Sequence, residues 1–399
     1  MNRRNFIQMT AGGLGILPMS TLLQQVQERL SGEDLGGSTH RKRLRELGII
    51  IGDLAPGPWN AITDVGGIRV GQTTIIHDEG KAAIRTGVTA IFPNGGRILE
   101  ENLFAAYFSQ NGWGEMTGVA PIEETGRLRS PVFLTGTYNV GIVYRAASDY
   151  LASQIKKKGL SRIPAPVVAE CFDAFLSDAE RRMITDEDVL QAIQEAKSGP
   201  VEEGVVGGGT GMTTFGFKGG IGTSSRCVSI GREKYTVGVL VMANTAGRNQ
   251  LRIDGVPVGR EIRGFEIRQG KSKSIILIAA TDAPLLPYQL KKIAKRVIMG
   301  LAQTGATSHT ESGDIILAFS TANKLPSIGP DPFRHLAAVN DFWISSLYQG
   351  TVEATQEAIL NALTSASTVV GTNGNTAFGL PLDQVEKIMK KYHRIKDPN

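Results

Sequence analysis

The sequence has few of the residues on which most enzymes build their chemistry. Its two cysteines, Cys171 and Cys227, have no CxxC partner, so neither a zinc knuckle nor a thioredoxin-like pair comes from them. One pair in a chain this long is compatible with either redox compartment. The histidines, His40, His77, His309, His335 and His393, are scattered and fall in no HExxH or comparable ligand spacing, which leaves no metal site to expect. There is no GxSxG elbow to support a serine–histidine hydrolase of the usual kind. The Walker pattern is missing too: Lys218, inside a glycine-rich run, is followed by Gly219 and Gly220 instead of a Ser or Thr entering a helix. Cofactor chemistry is therefore not indicated. Charge of one sign is scarce once the amino terminus is set aside. Residues 1–46 hold seven Lys/Arg against four Asp/Glu, so most of the formal +5 resides there, and no nucleic-acid patch is legible. Beyond the first residues no segment is apolar and long enough to span a bilayer.

What is abundant is glycine, 48 residues in 399, in a chain that is 41% hydrophobic and 20% charged. Such a chain buries a large core as one big domain or two smaller ones. Clustered glycines mark tight turns and places where bare backbone amides approach a ligand or another strand. The run Gly204–Arg226 is the densest case, with Gly207, Gly208, Gly209 and Gly211 followed by Gly216, Gly219, Gly220 and Gly222. Its expected role is close backbone packing or presentation of amides to an oxyanion.

The amino terminus reads as a separate segment. Arg3 and Arg4 precede Phe6 and a moderately apolar stretch from Met9 to Leu23 that is broken by glycines and Pro18. Residues 1–30 thus resemble a twin-arginine export signal, which implies a bacterial, periplasmic protein exported already folded. No clear A-x-A cleavage site follows. A polar linker occupies residues 31–40, and the folded body begins near Arg41. The turn Asp64-Val65-Gly66-Gly67 between two β-branched runs predicts hairpin-like β structure at the start of that body. Helices are expected over 140–157 and 186–197, strands over 236–244 and 315–320, and long helical stretches around 335–366 and 381–391. Leu290, Ile293, Ala294, Val297, Ile298 and Leu301 recur at helical spacing after another apolar strand. This alternation predicts a layered α/β architecture.

That apolar strand, Ile275 to Ala280, is entered from a basic loop, "RQGKSK", through one serine, Ser274. A serine without a histidine becomes a nucleophile if its own α-amine is free to act as base, since that amine titrates near pH ~8. Ser274 meets the topological requirement, with a cuttable loop upstream and a rigid strand downstream.

The segments "AITDVGGIRVGQTT", "PVVAECFDAFLSD", "VVGGGTGMTTFGFKGGIGTSSR", "SIILIAATDAPLLPYQLKKIAKR", "ESGDIILAFST" and "VVGTNGNT" resemble, in order and across nearly the whole body, the L-aminopeptidase/D-esterase and β-peptidyl aminopeptidase family. The resemblance implies an αββα sandwich like that of the N-terminal-nucleophile hydrolases but differently connected. It implies a precursor that cuts itself at Lys273–Ser274 into chains 41–273 and 274–399 of one catalytic domain. Ser274 would then be the nucleophile, Ser312 and Asp314 would orient it and its amine, and the Asn244 amide would help form the oxyanion hole. Glu170 would bind the ammonium group of a small peptide, amide or ester. Phe172 stands where the family pattern commonly has tyrosine, and Lys273 where it usually has glycine or asparagine. The implied assembly is a homo-oligomer of processed chain pairs. Two rival readings are an unprocessed relative that binds amino compounds or peptides without turnover, and acyl transfer as in the distantly similar ornithine acetyltransferases, whose nucleophile is a threonine.

Overall fold

The computed structural model describes residues 41–160, 162–265, 274–327 and 332–395. The leader over 1–30, the linker over 31–40 and the loop that carries Lys273 lie outside these residues. β1 (Arg69–Glu79) and β2 (Ala82–Phe92) form a full-length antiparallel hairpin that turns at Gly80, where φ is +60°. β3 (Glu101–Gly112), α1 (Val119–Thr125), β4 (Arg127–Leu128), β5 (Val132–Gly136), α2 (Val140–Lys157), β6 (Val167–Cys171) and α3 (Asp186–Gln194) follow. The glycine-rich run then leads through two short strands, β7 (Thr213–Thr214) and β8 (Phe217–Lys218), into β9 (Gly220–Ile230) and β10 (Glu233–Asn244). After α4 (Val258–Glu261) come β11 (Ser274–Thr281), α5 (Pro287–Gln303), β12 (Gly313–Pro326) and α6 (Ser345–Thr364). A small ribbon, β13 (Val369–Val370) with β14 (Thr376–Ala377), and α7 (Leu382–Lys391) complete the body.

The strands form two main sheets, ordered β1-β2-β5-β6 and β4-β3-β12-β11-β10-β9. Each contains one parallel pair, β5 with β6 and β11 with β12, and in each case the intervening chain includes a helix, α2 or α5. A parallel pair needs such a crossover because a tight turn cannot reverse the chain twice. The sheets pack face to face through Ile91, Leu134, Val167 and Ala169 on one side and Leu240, Met242, Ile276, Ile278 and Leu317 on the other. Outside the small sheet, α2 and α3 cover Val88, Phe92 and Phe133 with Val143, Ala147 and Val189. Outside the large sheet, α5 and α6 cover Val241, Leu277 and Ile316 with Leu290, Val297, Ala358 and Leu363. The layers run α, β, β, α. The apolar run in β11 now has its explanation: odd residues face the helices, even residues face the other sheet, and neither face meets water.

Local chemistry sets the boundaries. Thr185 caps α3 by accepting a hydrogen bond from Asp188 N–H at 3.3 Å while the Asp188 carboxylate accepts one from Thr185 N–H at 2.8 Å, a reciprocal capping box. Arg226, on β9 and fully buried, is tied to α6 by Glu353 at 3.1 Å and Glu357 at 2.6 Å. Two expectations are corrected. The turn at Asp64 does not join two strands: Ile62–Asp64 is a 3₁₀ turn and regular strand begins at Arg69. The Asp64 carboxylate accepts from Trp59 N–H, Ala61 N–H and the Ser225 hydroxyl, holding the chain in a local turn that competes with strand pairing. The helical stretch around 335–366 starts only at Ser345. Ala337 is held by the Asn323 side chain, and Asn340 caps a separate 3₁₀ turn, Asp341–Trp343.

Candidate active site

β11 lies between β10 and β12, so Ser274, its first residue, pairs with Asn244 at the end of β10 and stands beside Gly313–Asp314 at the start of β12. The side chain is buried and its Oγ accepts a hydrogen bond from Gly313 N–H at 3.2 Å. Two residues around that glycine complete the corner: Ser312 Oγ donates to Asp314 Oδ1 at 2.6 Å. Burial pushes the Asp314 carboxyl up from the usual range, against hydrogen bonding from Ser308 and Ser312 and the field of His309. Ser308 favours the charged form, yet Oδ2 of Asp314 closes no hydrogen bond with the described residues. A register shift between β12 and β3 falls at Asp314/Ile315, a bulge that re-aims these side chains beside the serine.

Asn244 is fixed on three sides. Its Oδ1 accepts from Thr213 N–H at 2.8 Å and from Thr213 Oγ1 at 3.4 Å, and its Nδ2 donates to the Phe172 carbonyl at 2.9 Å. These partners determine which end of the amide is nitrogen, and they leave one N–H uncommitted among the described residues. Glu170, near the end of β6, comes from the opposite sheet. It is 5% exposed, accepting from Glu115 N–H at 3.0 Å and from the Thr137 hydroxyl. No cation pairs with it among the described residues, and burial raises its pKa. Gly114 brings it to the serine corner, since a single Cβ there would lie 3.2 Å from both Glu170 Oε1 and Gly313 Cα.

Between these carboxylates sits Cys171, whose thiol is pushed well up by burial and then by the fields of Glu170, Asp314 and Asp173. That shift favours the neutral thiol over the nucleophilic thiolate. Phe172 and Tyr138, with ring centroids 6.1 Å apart, form part of the wall of a 460 Å³ surface cavity that Ala174, Thr372 and Asn373 also line. A larger cavity of 710 Å³, lined by Gly52, Arg296, Tyr348 and Glu353, contains none of these groups.

The residues expected from sequence are thus brought together in two sets: Ser274, Ser312, Asp314 and Asn244 at one sheet corner, and Glu170 with Phe172 facing it. Lys273 lies outside the described residues. Sequence reading missed Thr213, Thr137 and the carbonyl of Phe172, because backbone groups and single threonines carry no local signature. It also missed Asp173, which burial pushes up to about 6 while a Thr86 hydroxyl donates to it at 2.8 Å. The glycine-rich run packs rather than cradles: a Cβ on Gly208 would stand 2.7 Å from Leu134 O, and one on Gly211 2.2 Å from Arg85 O.

Known proteins are similar to this chain over most of its length. The model of peptidase family S58 matches residues 60–377. The chain is 43% identical over 369 residues to the β-peptidyl aminopeptidase BapA of Sphingosinicella xenopeptidilytica, covering 87% of this chain and 91% of the relative. The structure of a β-aminopeptidase from a Burkholderia species superposes with a TM-score of 0.81 at 40% identity, over 88% of this chain and 99% of that one. The L-aminopeptidase D-Ala-esterase/amidase of Ochrobactrum anthropi, described as a prototype for the serine aminopeptidases and a variant of the Ntn hydrolase fold, superposes with a TM-score of 0.82 at 38% identity, over 89% and 99%. On the strength of a match that spans both sheets and every described residue of the serine corner, the chain belongs to peptidase family S58.

Proposed function

We propose that the protein is a self-processing serine aminopeptidase that releases N-terminal residues from short peptides, amides or esters through an acyl-enzyme on Ser274. The observation that carries this reading is the convergence of a buried serine at the start of β11 with an oriented amide, a hydroxyl–carboxylate pair and, opposite, a buried carboxylate without a cation among the described residues. In the uncut chain Ser274 Oγ attacks the carbonyl carbon of Lys273. The amide nitrogen leaves as the α-amine of Ser274, and water hydrolyses the resulting ester. That amine then serves as general base for Oγ, beside the Asp314 carboxylate, whose Oδ2 has no hydrogen-bond partner among the described residues. The free N–H of Asn244 stabilises the oxyanion. Glu170 holds the substrate ammonium and so selects for an unblocked amino terminus. The aromatic pair Tyr138 and Phe172 borders the space available to the side chain.

The test is intact mass and N-terminal sequencing of the purified protein beside S274A, with trypsin-like proteases inhibited because the loop is lysine-rich. A fragment beginning at Ser274 in the wild type alone, with activity confined to cut protein, is the expected result. An S274A chain that is still cut there, or that hydrolyses substrate, overturns it. Export by the twin-arginine route rests on Arg3, Arg4 and the apolar stretch after them, and is checked by cell fractionation. Assembly into a homo-oligomer is supported by the neighbouring Phe342 and Trp343, 93% and 60% exposed, and is checked by light scattering.

A further inference from the structure

The least expected buried group in the molecule is Lys218. It lies in the middle of the glycine-rich run, has no exposed surface, and is paired with no carboxylate among the described residues. Its Nζ donates instead to three main-chain carbonyls, Gly209 at 3.0 Å, Met212 at 2.7 Å and Gly219 at 2.7 Å. One of these acceptors matters for the chemistry. The carbonyl of Met212 belongs to the same peptide group as Thr213 N–H, and that N–H donates to Asn244 Oδ1 at 2.8 Å. We propose that Lys218 is a positioning residue for the reaction, a buried cation that polarises and orients the oxyanion donor Asn244 through the Met212–Thr213 peptide. The inference rests on Asn244 being that donor.

An ammonium on the Met212 oxygen draws electron density toward it and makes the Thr213 N–H a stronger donor. A stronger bond to Asn244 Oδ1 in turn makes the amide N–H groups more acidic, and the one not held by Phe172 is the donor assigned to the oxyanion. Hydrogen bonds chained through amides strengthen one another in a low-dielectric interior, where a full charge at the far end is poorly screened. Burial drives the lysine toward its neutral form, pushing its pKa well down. Three carbonyls, however, match the three N–H bonds of an ammonium, whereas a neutral amine has two and would give up one of these bonds, although the Gly209 and Met212 carbonyls also accept the main-chain N–H groups of Met212 at 3.2 Å and Gly219 at 3.0 Å. The cage also fixes geometry. Gly209 and Gly219 allow the carbonyls to converge, since a Cβ on Gly219 would stand 2.5 Å from Ala243 O and one on Gly209 2.4 Å from Ile221 N. A lysine that only filled space here would not require its acceptor to be the peptide that holds Asn244.

The experiment is a double-mutant cycle on the full chain between Lys218 and Asn244, with K218M and K218Q each made alone and combined with N244A. K218Q keeps two donors for the cage and loses the charge. Folding of each variant is checked by thermal unfolding, and kcat and KM are normalised to the fraction cut at Ser274. Where a variant stays uncut, the rate of appearance of the Ser274 fragment replaces kcat, because self-cleavage passes through the same kind of oxyanion. An oxyanion donor is worth ~10²–10³ in rate, so a group acting through it is expected to cost roughly ten- to hundredfold in kcat with KM within twofold. In the N244A background that cost should shrink below about threefold, because the relay then ends on nothing. Folded K218M and K218Q proteins within threefold of wild type, costs that multiply with N244A, or failure of both variants to fold would each overturn the proposal. If N244A itself retains full activity, the assignment of Asn244 fails; a normal loss for N244A with none for either Lys218 variant removes only the relay.

Discussion

Replacing Glu170 by glutamine tests the substrate-binding half of the site. The carboxylate is buried, accepts two protein hydrogen bonds, from Glu115 N–H and the Thr137 hydroxyl, and has no cation of its own among the described residues. In a complex the substrate ammonium supplies that cation. E170Q keeps the volume and one acceptor oxygen but removes the charge, and it turns an NH₂ toward groups that are themselves donors. Removing one partner of a buried, hydrogen-bonded charge pair costs 2–5 kcal/mol or more. The cavity beside Phe172 opens to solvent, so the lower part of that range applies, about 2–3 kcal/mol, or roughly 30- to 150-fold in kcat/KM. The assay compares an amino-acid p-nitroanilide with the analogue in which hydrogen replaces the amino group. The loss should fall on the first and spare the second. The sign of the pH effect is also determined. Burial raises the Glu170 pKa, the ionised form binds the substrate, and so kcat/KM of the wild type should fall as pH drops through that raised value while E170Q lacks this limb. Equal losses on both substrates, or a loss under threefold on the free amine, would refute the reasoning.

Two further perturbations test the frame around the site. Asp173 is buried with its carboxyl pushed up to about 6 from an ordinary 3.8, so the native state binds this proton more tightly than the unfolded chain, and the stability present below pH ~4 is lost as pH rises toward 6. D173N should remove that slope and raise the urea midpoint at pH 7.5, by an amount corresponding to at most about 3 kcal/mol; an unchanged midpoint would show that the carboxyl is not desolvated. In the glycine-rich run, G209A places a Cβ 2.4 Å from Ile221 N and 2.7 Å from Gly220 C, both backbone atoms that cannot swing away. It should cost about 2 kcal/mol or more, read as a fall in the unfolding midpoint, whereas a neutral result would mean that β9 can shift to accommodate it.

Much of this protein was legible in one dimension because its signals are local. The 3.6-residue recurrence from Leu290 to Leu301 specifies α5, the acidic start at Asp186 specifies where α3 begins, and the unbroken apolar run after Ser274 identifies a strand covered on both faces. Ser274 was legible for the same reason only as the point where a loop meets such a strand, and its expected role as nucleophile came from the family resemblance. The turn at Asp64 and the start of α6 were misread, since side chains distant in sequence, Ser225 in one case and Asn323 in the other, hold those segments. The rest of the site was decided by tertiary structure alone. Asn244 owes its orientation to Thr213 N–H and the Phe172 carbonyl, Glu170 is buried without a cation among the described residues by the packing of one sheet on the other, and the Lys218 side chain is caged only when Gly209, Met212 and Gly219 converge. Periodicity along a chain encodes which face of an element is dry, whereas the pairing of a polar group with a backbone amide far along the chain leaves no periodic trace and exists only once the two sheets have closed.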